Sequence, residues 1–417
     1  MTTASTTTPA TRHELPATTL RAPRWRSRGT WLALLVFLAS RVVDGVVLAI
    51  AGHRQIALPD PALQRAAAVD HATAANPGYL ELLSNWDGQW YQFLATQGYH
   101  LPAAGATNVE DTLWSWAFPP GFPMTVRALM ESTGLPFGVA VTIVNLVAGA
   151  VAMVLLHRLV DLTAGPFAAA SIVAVTALAP TALLLQVAYS ESLALALLCA
   201  VLLLVHRRRY WWAVVAVAAL SLTRVITAPL AVVVAAHAWS RLRAADGSRP
   251  RRGEWLGMGV LALTSFAGAF LWAFIVGLAI GDQTGATSRP GMLSKLGWFS
   301  QLHAQFGVAG PLVLLGLLLV LILASRTPRI ATLGIELATW LWCYPLFVFA
   351  VTEIHTGILR YLLLCLPLPM LFVLRPLQGR VRVQHVVGLA AVCLVSFGLQ
   401  VWWISQSFVV TRDFIMP

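Results

Sequence analysis

The chain is 417 residues long, 58% hydrophobic and only 11% charged, with a mean hydropathy of +0.74. Soluble globular chains carry roughly 25% charged residues, so this one lacks the charge to cover a water-facing surface, and a soluble multidomain protein is excluded. Its formal net charge of +11, from 28 Lys+Arg against 17 Asp+Glu, is therefore read for membrane topology and not for nucleic-acid binding.

A helical span needs about 20 apolar residues, and the hydropathy pattern predicts eleven: 31–51, 137–157, 166–187, 190–205, 210–225, 227–240, 255–280, 308–324, 330–350, 358–374 and 385–405. Pro180, Pro229, Pro345, Pro367 and Pro369 interrupt several of them, so re-entrant pieces fit between 166 and 240. Residues 1–30 form a basic tail, rich at first in Thr, Ala and Ser, that has no periodic apolar pattern and reads as disordered and cytoplasmic; 31–417 reads as one transmembrane domain. The first apolar stretch carries Arg41 and Asp44 and has no clear small-residue cleavage site, the pattern of a retained signal anchor. Cys199, Cys343, Cys365 and Cys393 all fall in predicted spans, which implies neither a disulfide framework nor a zinc site.

With the N-terminus in the cytoplasm, 19 of the 28 cations fall inside and six outside, and Arg41, Arg224 and Arg360 lie within or at the edge of a span. That orientation puts the long segment 52–136 outside the cytoplasm. It carries seven of the 17 acidic residues, and segments of that length without a span are usually functional. The chain has no glycine-rich phosphate loop, no HExxH and no D-x-D, so neither nucleotide nor metal has a visible cradle and no cofactor is called for.

Residues 85–99 read N-W-D-G-Q-W-Y-Q-F-L-A-T-Q-G-Y. Trp90, Phe93 and Leu94 follow the i, i+3, i+4 rule and Gly98 stops it, which predicts a short amphipathic helix on the membrane face with Asp87 at its start. Asp87 has two readings. One is an N-terminal cap; the other is a functional carboxylate flanked by Trp86, Trp90 and Tyr91, whose aromatic faces suit stacking on sugars. Trp114 and Trp116 read as anchors at the membrane interface.

The cations within the membrane are treated in the same two-sided way. Arg41 has Asp44 one turn on, so it is either an ion pair inside the bundle or a site cation. Arg224, in S-L-T-R near the outer end of its span, has no acidic residue nearby in sequence and so calls for an anion. His355 and Arg360, in E-I-H-T-G-I-L-R at the outer mouth of the tenth span, either snorkel to the interface or meet a phosphate headgroup. Tyr189, Ser190 and Glu191 sit at the external turn between the third and fourth spans, where Glu191 caps the next helix or contacts a sugar hydroxyl.

The order W-D-G-Q-W-Y, then Gly98-Tyr99, F-P-P-G-F-P at 118–123 leading to Arg127, Y-S-E-S at 189–192 and L-T-R at 222–224 resembles the PIG-V-type mannosyltransferases of the GT-C superfamily. High Ala, Val and Arg content with a single lysine points to a GC-rich bacterial genome, which would place the chain among that family's bacterial, especially actinobacterial, relatives. The resemblance implies an all-α polytopic bundle with a large extracytoplasmic loop, 52–136, after the first helix. It implies an inverting enzyme that moves mannose from a polyprenyl-phosphate-mannose donor to a lipid-linked or glycan acceptor, forming an α-mannoside at the outer face of the bilayer. Asp87 would be the general base; Arg41, Arg224, His355 and Arg360 would be candidates for the donor phosphate; Trp86, Trp90, Tyr91, Tyr189, Ser190 and Glu191 would contact substrate. The family commonly has a second acidic residue in this loop, and Glu110 and Asp111 are the nearest candidates. The rival is a transporter or flippase, whose repeated halves with matching broken helices are not found in this sequence.

Overall fold

The computed structural model describes residues 25–57, 74–101, 114–244, 249–281, 296–352, 354, 357–366, 368 and 381–412. Residues 1–24 of the tail, Glu110, Asp111 and His355 lie outside the described residues. Every regular element among those described is helical. In chain order they are α1 (Trp25–Gly52), α2 (Tyr79–Leu82), α3 (Asp87–Thr96), α4 (Gly121–Thr133), α5 (Phe137–Ala164), α6 (Pro166–Ala177), α7 (Glu191–His206) and α8 (Tyr210–Ser221). There follow α9 (Ala228–Arg243), α10 (Arg252–Ile280), α11 (Gly297–Phe306), α12 (Ala309–Ser325), α13 (Pro328–Ala331), α14 (Ile335–Val351), α15 (Ile358–Leu362) and α16 (Val383–Trp403).

The protein is an all-α polytopic membrane protein. Large apolar side chains point outward as well as inward: on α10 alone Leu263, Phe274 and Leu278 are 68%, 64% and 74% exposed, an arrangement that suits lipid and not water. Among the described residues, α1, α5, α10 and the run 383–408 are long and apolar enough to cross a bilayer, whereas α6, α7, α8, α12 and α14 are apolar but have 10–17 residues. Ten of the predicted spans thus overlap helices in position more than in length; in the eleventh, 358–374, the described part holds only α15, and 367 and 369–374 lie outside the described residues. A 12-residue helix rises about 18 Å, short of the roughly 30 Å hydrocarbon layer, so the shorter segments rely on neighbouring protein to shelter their ends.

The predicted span 166–187 shows how. Its helix ends at Ala177, and Leu178–Ser190 runs on without α-helix through Pro180 and a 3-10 turn at Ala182–Leu185. From Thr181 to Ser192 every residue is buried. Irregular backbone at such depth is tolerated only where protein groups take over its hydrogen bonds, and they do. Arg41 of α1 donates to Ala177 O at 2.7 Å and Ala182 O at 2.5 Å, Asn145 of α5 donates to Val187 O, Ser192 Oγ donates to Leu185 O at 3.0 Å, and Ala188 N–H bonds to Leu83 O at 2.9 Å. Arg41 is itself paired with Asp44 at 2.8 Å, and Gln400 of α16 donates to the same carboxylate at 2.8 Å.

The far end of α7 carries a second polar knot. Glu336 of α14 lies 2.7 Å from His237 and 3.4 Å from His206, His237 bonds to Tyr210 at 3.1 Å, and Arg241 donates to Tyr210 at 2.9 Å and pairs with Glu254 at 2.8 Å. Together these groups tie α7, α8, α9, α10 and α14. The 16 residues of α7 separate this knot from Glu191 by about 24 Å.

Candidate active site

The segment after α1 is anchored from both sides before α3 begins. Asn85 donates to Gln55 Oε1 at 2.7 Å and to Phe408 O at 3.1 Å, and the Trp86 indole donates to Phe408 O at 2.8 Å. Trp86 is held at φ +57° and ψ −125°, a region that costs a non-glycine residue about 1–3 kcal/mol. This sharp corner makes Asp87 the first residue of α3, with Trp86 and not Asp87 in the capping position, and no side-chain cap is made there. Gly98 at φ +86° closes the helix, its N–H bonding to Leu94 O at 3.0 Å. Trp90 and Leu94 are buried and Trp90 stacks on Phe118 at 6.5 Å, so the helix is sunk into the protein by its aromatic face.

Two motifs distant in sequence meet at Gly121. Its N–H bonds to Leu222 O at 2.6 Å, and an added Cβ would stand 2.6 Å from Thr223 Oγ1 and 2.7 Å from Leu222 O. The F-P-P-G-F-P turn therefore docks directly on L-T-R, and only glycine permits that approach. Above them, the buried Tyr91 ring packs edge-on against Phe118 and Phe122 at 5.1 and 5.0 Å, and its hydroxyl donates to Ser190 Oγ at 3.0 Å. Burial first, and the nearby Glu191 carboxylate next, push the Tyr91 phenol up to about 12, so it stays a donor.

Four charged groups converge beside it. Asp87, 24% exposed, accepts from Arg360 at 2.5 Å; Arg360 is 9% exposed. Arg224 pairs with the fully buried Glu191 at 2.9 Å and also donates to Ser190 Oγ at 3.2 Å. The Tyr361 ring lies between the two arginines, 5.2 Å from the Arg224 guanidinium and 5.5 Å from that of Arg360, and Arg360 also stands 5.9 Å from the Tyr189 ring. Two cations and two carboxylates leave the cluster near neutral. It still holds unused capacity: Glu191 Oε2, Arg224 Nε and Arg360 Nε are buried with no hydrogen-bond partner among the described residues.

The structure thus brings Asp87, Tyr91, Tyr189, Ser190, Glu191, Arg224 and Arg360 into one cluster. Trp86 and Trp90 stand behind it, one fixing the corner before Asp87 and the other packing on Phe118. Arg41 is elsewhere, bonded to Asp44 and to the carbonyls around the break after α6. Arg224, with no acidic neighbour in sequence, finds Glu191 across the fold. Trp116, half-buried, stacks on Trp272 at 6.2 Å and donates to His100 O at 3.0 Å. Tyr361 was not singled out from the sequence; its one signal there was adjacency to Arg360.

No family model matches the chain, and no curated protein matches it. Among solved structures, the arabinofuranosyltransferase AftD from Mycobacteria aligns at 18% identity with a TM-score of 0.42, over 93% of this chain and 27% of that one. The archaeal oligosaccharyltransferase AglB from Archaeoglobus fulgidus, solved with an inhibitory peptide and a dolichol-phosphate, aligns at 10% identity with a TM-score of 0.37, over 88% of this chain and 56% of that one. The chain therefore spans about a quarter of the first structure's length and just over half of the second's.

Among the described residues no group of His, Cys, Asp and Glu is arranged to hold a metal ion. What the cluster offers is a carboxylate that can take a proton, two guanidinium groups for an anion with several oxygens, and aromatic rings around them.

Proposed function

We propose that the protein is a GT-C-like membrane glycosyltransferase that moves a mannosyl residue from a polyprenyl-phosphate-mannose donor to a lipid-linked or glycan acceptor at the extracytoplasmic face of the cell membrane. The observation that carries this reading is the meeting of Asp87 with Arg360 and Arg224 in one partly exposed cluster. The motif order from W-D-G-Q-W-Y to L-T-R supports the same family reading, and the basic loops support an orientation with the N-terminus in the cytoplasm.

In this mechanism the acceptor hydroxyl oxygen attacks the anomeric carbon, the bond from that carbon to the phosphate oxygen breaks, and polyprenyl phosphate leaves with the electron pair. Asp87 takes the hydroxyl proton. Attack opposite the phosphate inverts the anomeric carbon, so a β-linked donor yields an α-mannoside. Arg224 and Arg360 hold the phosphate, which is both the donor's handle and the leaving group. Arg360 pairs with Asp87; a phosphate drawn to that guanidinium would compete with the pair and leave the carboxylate to work as a base. Tyr189, Ser190 and Glu191 border the sugar, and Tyr91 fixes Ser190. Arg41 is left out of the contact set and given a structural role, and His355 remains a candidate for the phosphate.

The test is Asp87→Asn, which keeps size and most hydrogen bonding but cannot accept the proton. A folded variant should lose roughly 100-fold or more in turnover with polyprenyl-phosphate-mannose. Near wild-type turnover removes Asp87 from the role of base.

A further inference from the structure

A cavity of about 460 Å³ opens on the other side of α3 from the charged cluster, walled by the start of α5, by α2 and by the segment after α1. Its volume lies within the roughly 300–1,000 Å³ of small-molecule sites. Its polar lining is distinctive: Gln55, Glu81, Ser84, Asn85, Gln89 and Gln92. Four of the six are carboxamides, which offer donors and acceptors together, and among the described lining residues the only formal charge is the Glu81 carboxylate. With no arginine, lysine or histidine among the described residues of its wall, the cavity offers a phosphate no cation there. The remaining wall is apolar and includes Leu80 and Phe137, surface suited to the C–H face of a pyranose or furanose ring.

The amides are partly set in place by the fold. Gln55 donates to Ala74 O at 3.1 Å and accepts from Asn85 at 2.7 Å, so that pair is oriented before any ligand arrives. Gln89 and Gln92 are one turn apart on α3, and Asp87 begins the same helix. Asp87 faces Arg360 across the helix from the cavity, a separation of about one helix width, roughly 10 Å.

We infer that this cavity binds an uncharged, polyhydroxylated segment of the acceptor, a sugar unit or two away from the hydroxyl that reacts at Asp87. The inference rests on the glycosyltransferase reading above and adds to it where the acceptor is recognised and by what chemistry. The charged cluster takes the phosphate of the donor; the amide cavity takes neutral hydroxyls. A single α3 carries both, with the base at its start and the acceptor contacts on its opposite face.

Direct binding to the full-length protein in nanodiscs separates this from the activity reading. The probes are a panel of disaccharides of mannose, glucose, galactose and arabinofuranose, followed by saturation-transfer NMR, and polyprenyl phosphate, followed by its own displacement assay. One or more disaccharides should bind the wild type, and Gln92→Leu, at a half-buried position, should weaken that binding roughly tenfold. Gln92→Trp, which fills the space, should abolish it. Neither variant should change polyprenyl phosphate binding, and Arg360→Gln should leave the disaccharide bound. Disaccharide binding unchanged in both Gln92 variants overturns the cavity assignment. So does a wild type that binds polyprenyl phosphate but none of the disaccharides, an outcome that leaves the glycosyltransferase reading standing; a wild type that binds neither probe overturns both.

Discussion

Replacing Arg41 by glutamine is expected to remove stability before it removes chemistry. The guanidinium is 3% exposed and Asp44 is fully buried, while two of its N–H groups serve Ala177 O and Ala182 O. Removing one partner of a buried pair costs about 3–5 kcal/mol, and a buried carbonyl stripped of its donor adds about 1–3 kcal/mol. Glutamine cannot reach the carboxylate and both carbonyls together, so a loss of about 4 kcal/mol or more is expected, close to the whole stability of a marginal domain. Thermal unfolding and size-exclusion profiles of the detergent-purified variant would show it as a lower midpoint and loss of the monodisperse peak. Adding Asp44→Asn should recover part of the loss, because the stranded carboxylate is then neutral. If Arg41→Gln stays monodisperse with an unchanged midpoint but no longer binds polyprenyl phosphate, Arg41 belongs to the donor site and its structural assignment is wrong.

Arg224→Gln strands Glu191, so the informative comparison is the Arg224→Gln/Glu191→Gln double variant: it should fold well yet raise the KM for donor by roughly ten- to a hundredfold, the worth of a charge-assisted contact, with Arg224→Lys falling in between. Normal donor KM in the double variant would make the pair purely structural. Tyr91 holds its phenolic proton more tightly in the folded state than in the unfolded chain, where the ordinary value is 10.0, so its contribution is intact below pH 10 and is lost as pH rises toward about 12; Tyr91→Phe should flatten that alkaline slope in unfolding experiments at the cost of about 1 kcal/mol from the hydrogen bond to Ser190. For topology, a cysteine at Leu101, which is 61% exposed, should react with an impermeant maleimide in intact cells carrying Cys393→Ser, and labelling only after permeabilisation would reverse the orientation.

Composition and hydropathy made the helical class and the positions of most spans readable, because burial in lipid imposes one pattern on every residue of a span. They could not reveal where α6 stops. The residues from Leu178 to Ser190 are as apolar as a span, and it is donors on α1, α5 and α7 that allow the backbone to leave the helix there. The site was readable as a set of motifs but not as a set of pairs. Asp87 and Arg360 are 273 residues apart, and nothing local to either announces the other. The same holds for Arg224 and Glu191: Glu191 had a sufficient local explanation as a helix cap, and Arg224 called for an anion without naming one. Arg41 and Asp44 are the converse: their one-turn spacing was visible, and the pair forms. The amide cavity gave no sequence signal, since glutamine and asparagine on an extramembrane loop look like ordinary solvated surface.

The buried break after α6 also constrains how the chain enters the membrane. A lone α6 is too short to hold a transmembrane position, and the carbonyls beyond it would be stranded in hydrocarbon. Two of their side-chain donors, Arg41 and Asn145, lie upstream and so leave the ribosome first, while Ser192 follows. Because Arg41 meets Asp44 within its own helix, α1 can partition into the bilayer with its charges already neutralised, long before Gln400 is synthesised. The segment around Pro180 then has a docking place prepared for it. Biogenesis should therefore be ordered, with α1 and α5 paired before α6 and α7 are released laterally from the translocon, and α16 arriving last to close over Asp44.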